Sequence, residues 1–268
     1  PGSRVGLMST ARPDFIFFEY ALFALGATLS PLNIFYRRGE LLHVVESCDL
    51  DYLIVDAEFL ERLPEAGTPG AETLKKVLVM DAEPAGDDPR LLSAQRLIEG
   101  AQPIVEPVSL PDEAIVLMLN TSATTGKAKG VMLSLANIRA NYDRTPGRLG
   151  LDETTVTLCA LPLYNTFGIN PCVHAIMVTG GTLVLMPRFE AAACLEAIER
   201  HRCTFLPGVP TLLQKLIEHP DAAKRDLSSV GRILLGGAPI PASLLLGLKR
   251  LMGEKTVVLV AFGLTEAA

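Results

Sequence analysis

The chain has 268 residues, 49% of them hydrophobic and 20% charged, with a formal net charge of −6. That length and apolar share supply a sizeable core and exclude a disordered chain. The acidic balance argues against general nucleic-acid binding, which depends on basic surface for counterion release.

The first predicted element, Pro13 to Ala24, is apolar all round, with Pro near its start and Gly26 beyond its end, and reads as a buried helix. It overlaps the most apolar stretch, FIFFEYALFALGATL (15–29), which is broken by Glu19 and is shorter than the roughly 20 residues a bilayer span needs. Arg38 to Cys48 puts Leu41, Leu42, Val44, Val45 and Cys48 on one stripe and reads as a second helix. His43 and Glu46 on it read as a solvated face. Continuous apolar runs DYLIVD (51–56) and KKVLVMD (75–81) follow, separated and trailed by the loop-like 65–73, 81–90 and 100–112. AIVLML (114–119) is the next strand, and VMLSLANIRAN after it reads as a helix.

A break at TPGRLGLDE (145–153) suggests a boundary between one lobe, 1–150, and another, 151–268, with a fresh strand-helix series from Thr155. TLVLM (182–186), RILLG (232–236) and TVVLV (256–260) are its strands. Glu190 to Arg200, Pro210 to Glu218 and Ile240 to Met252 are its helices. Unalternating apolar strands between helices imply an α/β fold of βαβ units, with parallel sheets covered on both faces.

Five cysteines show no C-x-x-C spacing and read as buried free thiols of a reducing compartment. No basic segment with a cleavage site opens the chain, so a cytoplasmic enzyme is the default expectation. The start at Pro1 and the stop at TEAA suggest a piece of something longer.

The strand AIVLML delivers NTSATTGKAKG (120–130), which gathers four hydroxyl side chains and two lysines. A Walker loop needs Gly five residues before its Gly-Lys and Ser or Thr after it, and Thr121 and Ala128 stand there instead. Hydroxyl donors, lysines and backbone N–H groups around Gly126 and Gly130 can still cradle a polyphosphate. A polar surface turn is the competing reading. No G-x-S-x-G elbow is present, which disfavours a serine hydrolase.

In company with two other segments the loop is specific. It resembles the signature T-S-G-T-T-G-K-P-K-G-V of the adenylate-forming superfamily, which includes acyl-CoA synthetases, luciferases and peptide-synthetase adenylation domains. LPLYNTFGI (161–169) is similar to that family's L-P-L-F-H-x-F-G segment, and LLGGAPIP (234–241) with AFGLTEAA (261–268) to its G-G-A-P-L and Y-G-L-T-E segments. The resemblance extends over essentially the whole chain. It implies the N-terminal domain of the adenylate-forming fold, stacked α/β sheets flanked by helices, with the C-terminal domain absent.

The implied reaction couples a carboxylic acid, fatty or otherwise apolar, to ATP and passes the acyl group to coenzyme A. By resemblance Thr121, Ser122, Thr124, Thr125, Gly126, Lys127 and Lys129 handle the β- and γ-phosphates, Lys127 also acting in catalysis. Thr265 bonds the α-phosphate and Glu266 ligates Mg²⁺. Phe262, where the family has Tyr, stacks on adenine, with Gly236, Gly237 and Ala238 close to the adenine and acyl groups. Asn165, Thr166 and Phe167, with Gly237, line the acyl pocket. Asn165 replaces a family His, and Ala123 and Ala128 replace a Gly and a Pro. The implied partners are the small acid, ATP and coenzyme A, with no nucleic acid and no integral membrane segment. The oligomeric state is not legible. An adenylation module that loads a carrier protein, or a non-catalytic nucleotide- or acyl-binding module, remains the alternative. The truncated chain is expected to be weak or inactive alone.

Overall fold

The computed structural model describes every residue except 86, 104–105, 122–127 and 268. Two compact units emerge, Pro1–Ile138 and Arg139–Ala268. They meet inside helix α4 (Leu135–Leu149), ahead of the break expected at 145–153.

In the first unit the elements run β1 (Arg4–Met8), α1 (Pro13–Ala24), β2 (Thr28–Pro31), α2 (Arg38–Ser47), β3 (Tyr52–Val55), β4 (Lys76–Val79), β5 (Leu91–Ser93), α3 (Ala94–Glu99), β6 (Ile115–Thr121) and β7 (Lys129–Ser134). They form one sheet in the order β5-β4-β3-β1-β2-β6-β7. Every neighbouring pair is parallel except β6 and β7, which are antiparallel. The strand interiors are apolar on both faces because helices cover them: Leu7, Leu29, Leu53, Val77 and Leu117 are fully buried. Helix α2 buries Leu41, Val44 and Val45 as its stripe requires. Helix α1 departs from expectation. It buries Phe15, Ile16, Glu19 and Leu22, yet leaves Phe17 69% exposed, so it covers the sheet with one face only.

The segment VMLSLANIRAN is corrected from helix to strand then helix. Val131 to Ser134 belong to β7, and α4 starts at Leu135. Ser134 marks the change: Asn137 N–H donates to Ser134 Oγ at 3.3 Å, and Ser134 N–H donates to Asn137 Oδ1 at 2.9 Å. This reciprocal pair satisfies orphan donors at a helix start, as a capping box does.

The second unit contains β8 (Val156–Cys159), α5 (Thr166–Gly168), α6 (Ala175–Thr179), β9 (Thr182–Leu185), α7 (Ala191–His201), β10 (Phe205–Gly208), α8 (Pro210–Ile217), β11 (Arg232–Leu235), α9 (Ala242–Met252) and β12 (Val257–Val260). Its sheet, β12-β11-β10-β8-β9, is parallel throughout. A π-helical turn, Ile169–His174, joins α5 to α6. Pro171 within it has no N–H to give to a regular helical ladder, which accounts for the widened turn. The core joins Leu151, Ala175, Ile176, Phe205 and Leu234. All five cysteines are buried free thiols, as their spacing predicted. No helix among the described residues is long and apolar enough to cross a membrane.

Candidate active site

In the second unit, β8 connects to β9 on one side and β10 to β11 on the other, although β8 and β10 are neighbours. Their carboxyl ends therefore flank a topological switch point, where open α/β sheets leave a crevice for ligands. The motif segments leave the sheet at this end. LPLYNTFG follows β8, Gly236-Gly237-Ala238 follows β11, and Ala261 to Glu266 follow β12.

These segments touch. A Cβ on Gly236 would stand 2.9 Å from the Ala261 carbonyl oxygen and 3.5 Å from Phe167 Cζ, so glycine there admits both neighbours. Gly237 has φ +82°, a conformation open to glycine, and a Cβ on it would reach Val209 at 3.3 Å. Ala261 N–H donates to the Leu235 carbonyl at 2.7 Å, extending the β11–β12 ladder into the motif. Gly168 is tighter still, since an added Cβ would overlap the Pro162 carbonyl, so the turn into α5 requires a bare Cα.

Asn165, exposed, is the N-cap of α5 and makes no capping hydrogen bond with its side chain, which leaves its amide available. Thr166 Oγ1 is buried with no hydrogen-bond partner. Burial raises the phenol pKa of Tyr164, keeping it a neutral donor. Burial and then the adjacent Cys159 thiol push Cys172 well above the usual thiol range, so Cys172 stays protonated and inert. Phe262 is 91% exposed, a flat apolar face in solvent. Thr265 and Glu266 begin a short 3₁₀ turn, Thr265 half-buried and Glu266 exposed.

In the first unit the hydroxyl-rich segment connects β6 to β7. Thr121 and Lys129 face each other as cross-strand partners, bringing together the two ends of the predicted phosphate motif. Ser122, Thr124, Thr125, Gly126 and Lys127 lie outside the described residues. Gly130, read as part of an anion-wrapping turn, is instead a strand residue paired with Asn120. A Cβ on it would meet Met118 Sδ at 2.9 Å and Cys48 Sγ at 3.2 Å, so its smallness serves packing. Asn120 donates to Ser30 Oγ at 3.1 Å and accepts from Cys48 Sγ at 3.5 Å.

This sheet has its own switch point, between β1 and β3, but side chains fill it. Asp56, 2% exposed, accepts from Ser9 Oγ at 3.0 Å and Thr10 N–H at 2.9 Å, and pairs with Arg12 at 3.3 Å. Arg12 also reaches Asp81 at 3.1 Å. Burial raises the Asp56 pKa despite those donors.

Sequence reasoning missed β10 and with it Val209 beside the glycine pair; the apolar FLPG was the available signal. It also missed Asn120, Ser30 and Cys48, which no spacing links. Among the described residues no group of three His, Cys, Asp or Glu is placed to hold a metal ion. A single exposed carboxylate such as Glu266 still suits Mg²⁺, which takes most of its oxygens from phosphate and water.

The whole fold is matched by an anthranilate CoA ligase, AuaEII, solved with anthranoyl-AMP, at TM-score 0.89 and 23% identity over 99% of this chain and 50% of that one. A feruloyl-CoA synthase from Amycolatopsis sp is 30% identical over 100% of this chain and 50% of its own length. A 4-coumarate–CoA ligase, CCL1, from Humulus lupulus is 27% identical over 89% of this chain and 44% of its own. The chain thus spans about half the length of the curated relatives it matches. The fold is α/β with parallel sheets and closely matches the N-terminal domains of adenylate-forming enzymes, including that of FACL13 from Mycobacterium tuberculosis at TM-score 0.87 and 22% identity over 99% of this chain and 63% of that one. The family model described as AMP-binding enzyme covers residues 1–268, and the chain belongs to that family.

Proposed function

We propose that this chain carries the nucleotide- and acid-binding half of an ATP-dependent acid–CoA ligase. The observation that supports this most is the meeting of Phe167, Gly236 and Ala261 at the carboxyl ends of the second sheet, which joins three separated motif segments. A carboxylate oxygen of the acid attacks the α-phosphorus of ATP, forming an acyl–phosphate bond. The bond from that phosphorus to its bridging oxygen breaks, and pyrophosphate leaves with the electron pair. A thiol of coenzyme A then displaces AMP from the acyl carbon.

Attack of one anion on another requires charge neutralisation and an in-line approach. Thr121, Lys127 and Lys129, with the hydroxyls of Ser122, Thr124 and Thr125 and the backbone at Gly126, hold the β- and γ-phosphates in this reading. Thr265 donates to the α-phosphate. Phe262 packs on the adenine, with the bare backbone of Gly236, Gly237 and Ala238 beside it. Glu266 holds Mg²⁺, which when bound offsets phosphate charge. Asn165 donates to the acid, and Thr166 and Phe167 border its apolar body.

Within the fatty or otherwise apolar acids expected, the relatives named for ferulate and 4-coumarate favour an aromatic acid. The matched relatives are about twice as long, and we assign part of the turnover machinery to their other half, so that 268 residues alone turn over slowly. Acid-dependent ATP–pyrophosphate exchange by the protein, run with ferulate, 4-coumarate, benzoate and octanoate, tests the reading. Exchange stimulated by an aromatic acid supports it, and a chain that neither exchanges with any of the four nor binds Mg·ATP overturns it. Transfer to a carrier-protein thiol in place of coenzyme A is the second reading, separated by supplying each acceptor in turn.

A further inference from the structure

His43 sits on α2, belongs to none of the motifs, and its spacing to Glu46 suggested only a solvated face. Its Nε2 instead lies 3.2 Å from the carbonyl oxygen of Ala128, 85 residues further along the chain. A carbonyl only accepts, so the imidazole carries its proton on Nε2 and donates. Ala128 is the residue before Lys129, where β7 begins. Lys129 is exposed, and its ammonium has no ion pair among the described residues.

Helix α2 supports the same end of the hairpin a second time. Cys48, its C-cap, donates to Asn120 Oδ1 at 3.5 Å and lies under Gly130. Burial raises the Cys48 pKa, which keeps the thiol a donor. Asn120 and Gly130 are cross-strand partners one residue inward from Thr121 and Lys129. One helix therefore fastens both strands where they leave the ladder, Asn120 through Cys48 and Ala128 through His43.

We propose that His43 is a positioning residue for nucleotide binding, fixing through the Ala128 carbonyl the point from which Lys129 projects. The assignment rests on the nucleotide role given above to Lys129. A lysine is a point charge on a flexible stem, and what the protein controls is the position of its Cα. Freeing the preceding carbonyl lets that Cα wander and leaves a polar group to be resatisfied by solvent.

Two substitutions separate the donor from the ring. His43→Phe keeps an aromatic ring and loses the N–H, whereas His43→Gln keeps an N–H at similar reach and loses the ring. Mg·ATP affinity of the 268-residue chain is measured by calorimetry for wild type and both variants, with thermal melts alongside and hydrogen exchange read at the Lys129 and Gly130 amides. The expected result is affinity about fivefold weaker in His43→Phe, the scale of one lost hydrogen bond, with recovery in His43→Gln. Exchange at those amides quickens in His43→Phe only. Equal affinity in His43→Phe and wild type, or equal weakness in both variants, overturns the proposal. A wild-type chain that binds no Mg·ATP overturns the nucleotide reading itself, and the proposal with it, a result distinct from the other two.

Discussion

The Cζ of Phe167 lies 3.5 Å from where a Cβ on Gly236 would stand, and on another side that Cβ would lie 2.9 Å from the Ala261 carbonyl oxygen. The first neighbour is the far end of a side chain and can yield. The second is backbone leaving β12 and cannot yield without displacing the AFGLTE segment. Gly236→Ala is therefore expected to cost about 1–2 kcal/mol of stability through overpacking. It should also raise the KM for the acid more than that for coenzyme A. Denaturant unfolding and steady-state kinetics measure the two effects, and unchanged stability contradicts the packing argument.

Among the described residues two buried threonine hydroxyls have no hydrogen-bond partner, Thr157 Oγ1 in β8 and Thr166 Oγ1 at the start of α5. Valine has nearly the same shape and removes the desolvated group. Thr157→Val and Thr166→Val are each expected to leave stability unchanged or raise it by up to about 1 kcal/mol. Only Thr166→Val should alter kinetics with the acid. Thermal melts and pyrophosphate exchange distinguish the pair; loss of stability in both would mean that these hydroxyls are satisfied in solution.

Asp56 and Asp226 make stability depend on pH with opposite signs. Burial raises Asp56 above its unfolded value, so its favourable contribution is present below the ordinary carboxylate range and fades as pH rises through the folded value. Asp226 is held down to about 2, first by the Ser228 hydroxyl, then by the Ser228 N–H and Arg202, and its contribution is lost as pH falls toward that value. Asp56→Ala leaves the Ser9 hydroxyl and the Thr10 N–H without their acceptor, while Arg12 keeps Asp14 and Asp81, and should cost about 2 kcal/mol. The gap between wild type and Asp56→Ala should widen as pH falls toward the ordinary carboxylate range, because Asp56 protonates more readily in the folded state. For Asp226→Asn it should close as the medium becomes more acid than the ordinary carboxylate range. Urea unfolding across that range checks both, and a gap that narrows for Asp56 contradicts the assignment.

Much of the architecture was legible because parallel strands buried on both faces advertise themselves as unbroken apolar runs. β3, β4, β6, β9, β11 and β12 were read that way. β10 was not, since Pro207 and Gly208 break the pattern. The strand tolerates the proline near its end, where its registered ladder with β8 consists of Phe205 against Thr157. β7 was absorbed into a helix because Val131 to Leu133 run on into LANIRAN without a break in hydrophobicity; the Ser134-Asn137 capping pair was the signal that separates them. The glycines of the second unit were legible as a motif. Their physical role, admitting Ala261, Phe167 and Val209, depends on which strands are neighbours, and sequence spacing does not encode that. The contacts that His43, Cys48 and Ser30 make with the β6–β7 strand ends were hidden for the same reason.

The proposed function gives Lys129 of the first unit and Thr265 of the second each a role in binding ATP. The most direct measurement is the equilibrium affinity of the chain for Mg·ATP in wild type, Lys129→Ala and Thr265→Ala. Each loses one charge-assisted hydrogen bond to phosphate, so each should bind about tenfold more weakly, with wild-type melting behaviour. Affinity unchanged in either variant would contradict the account.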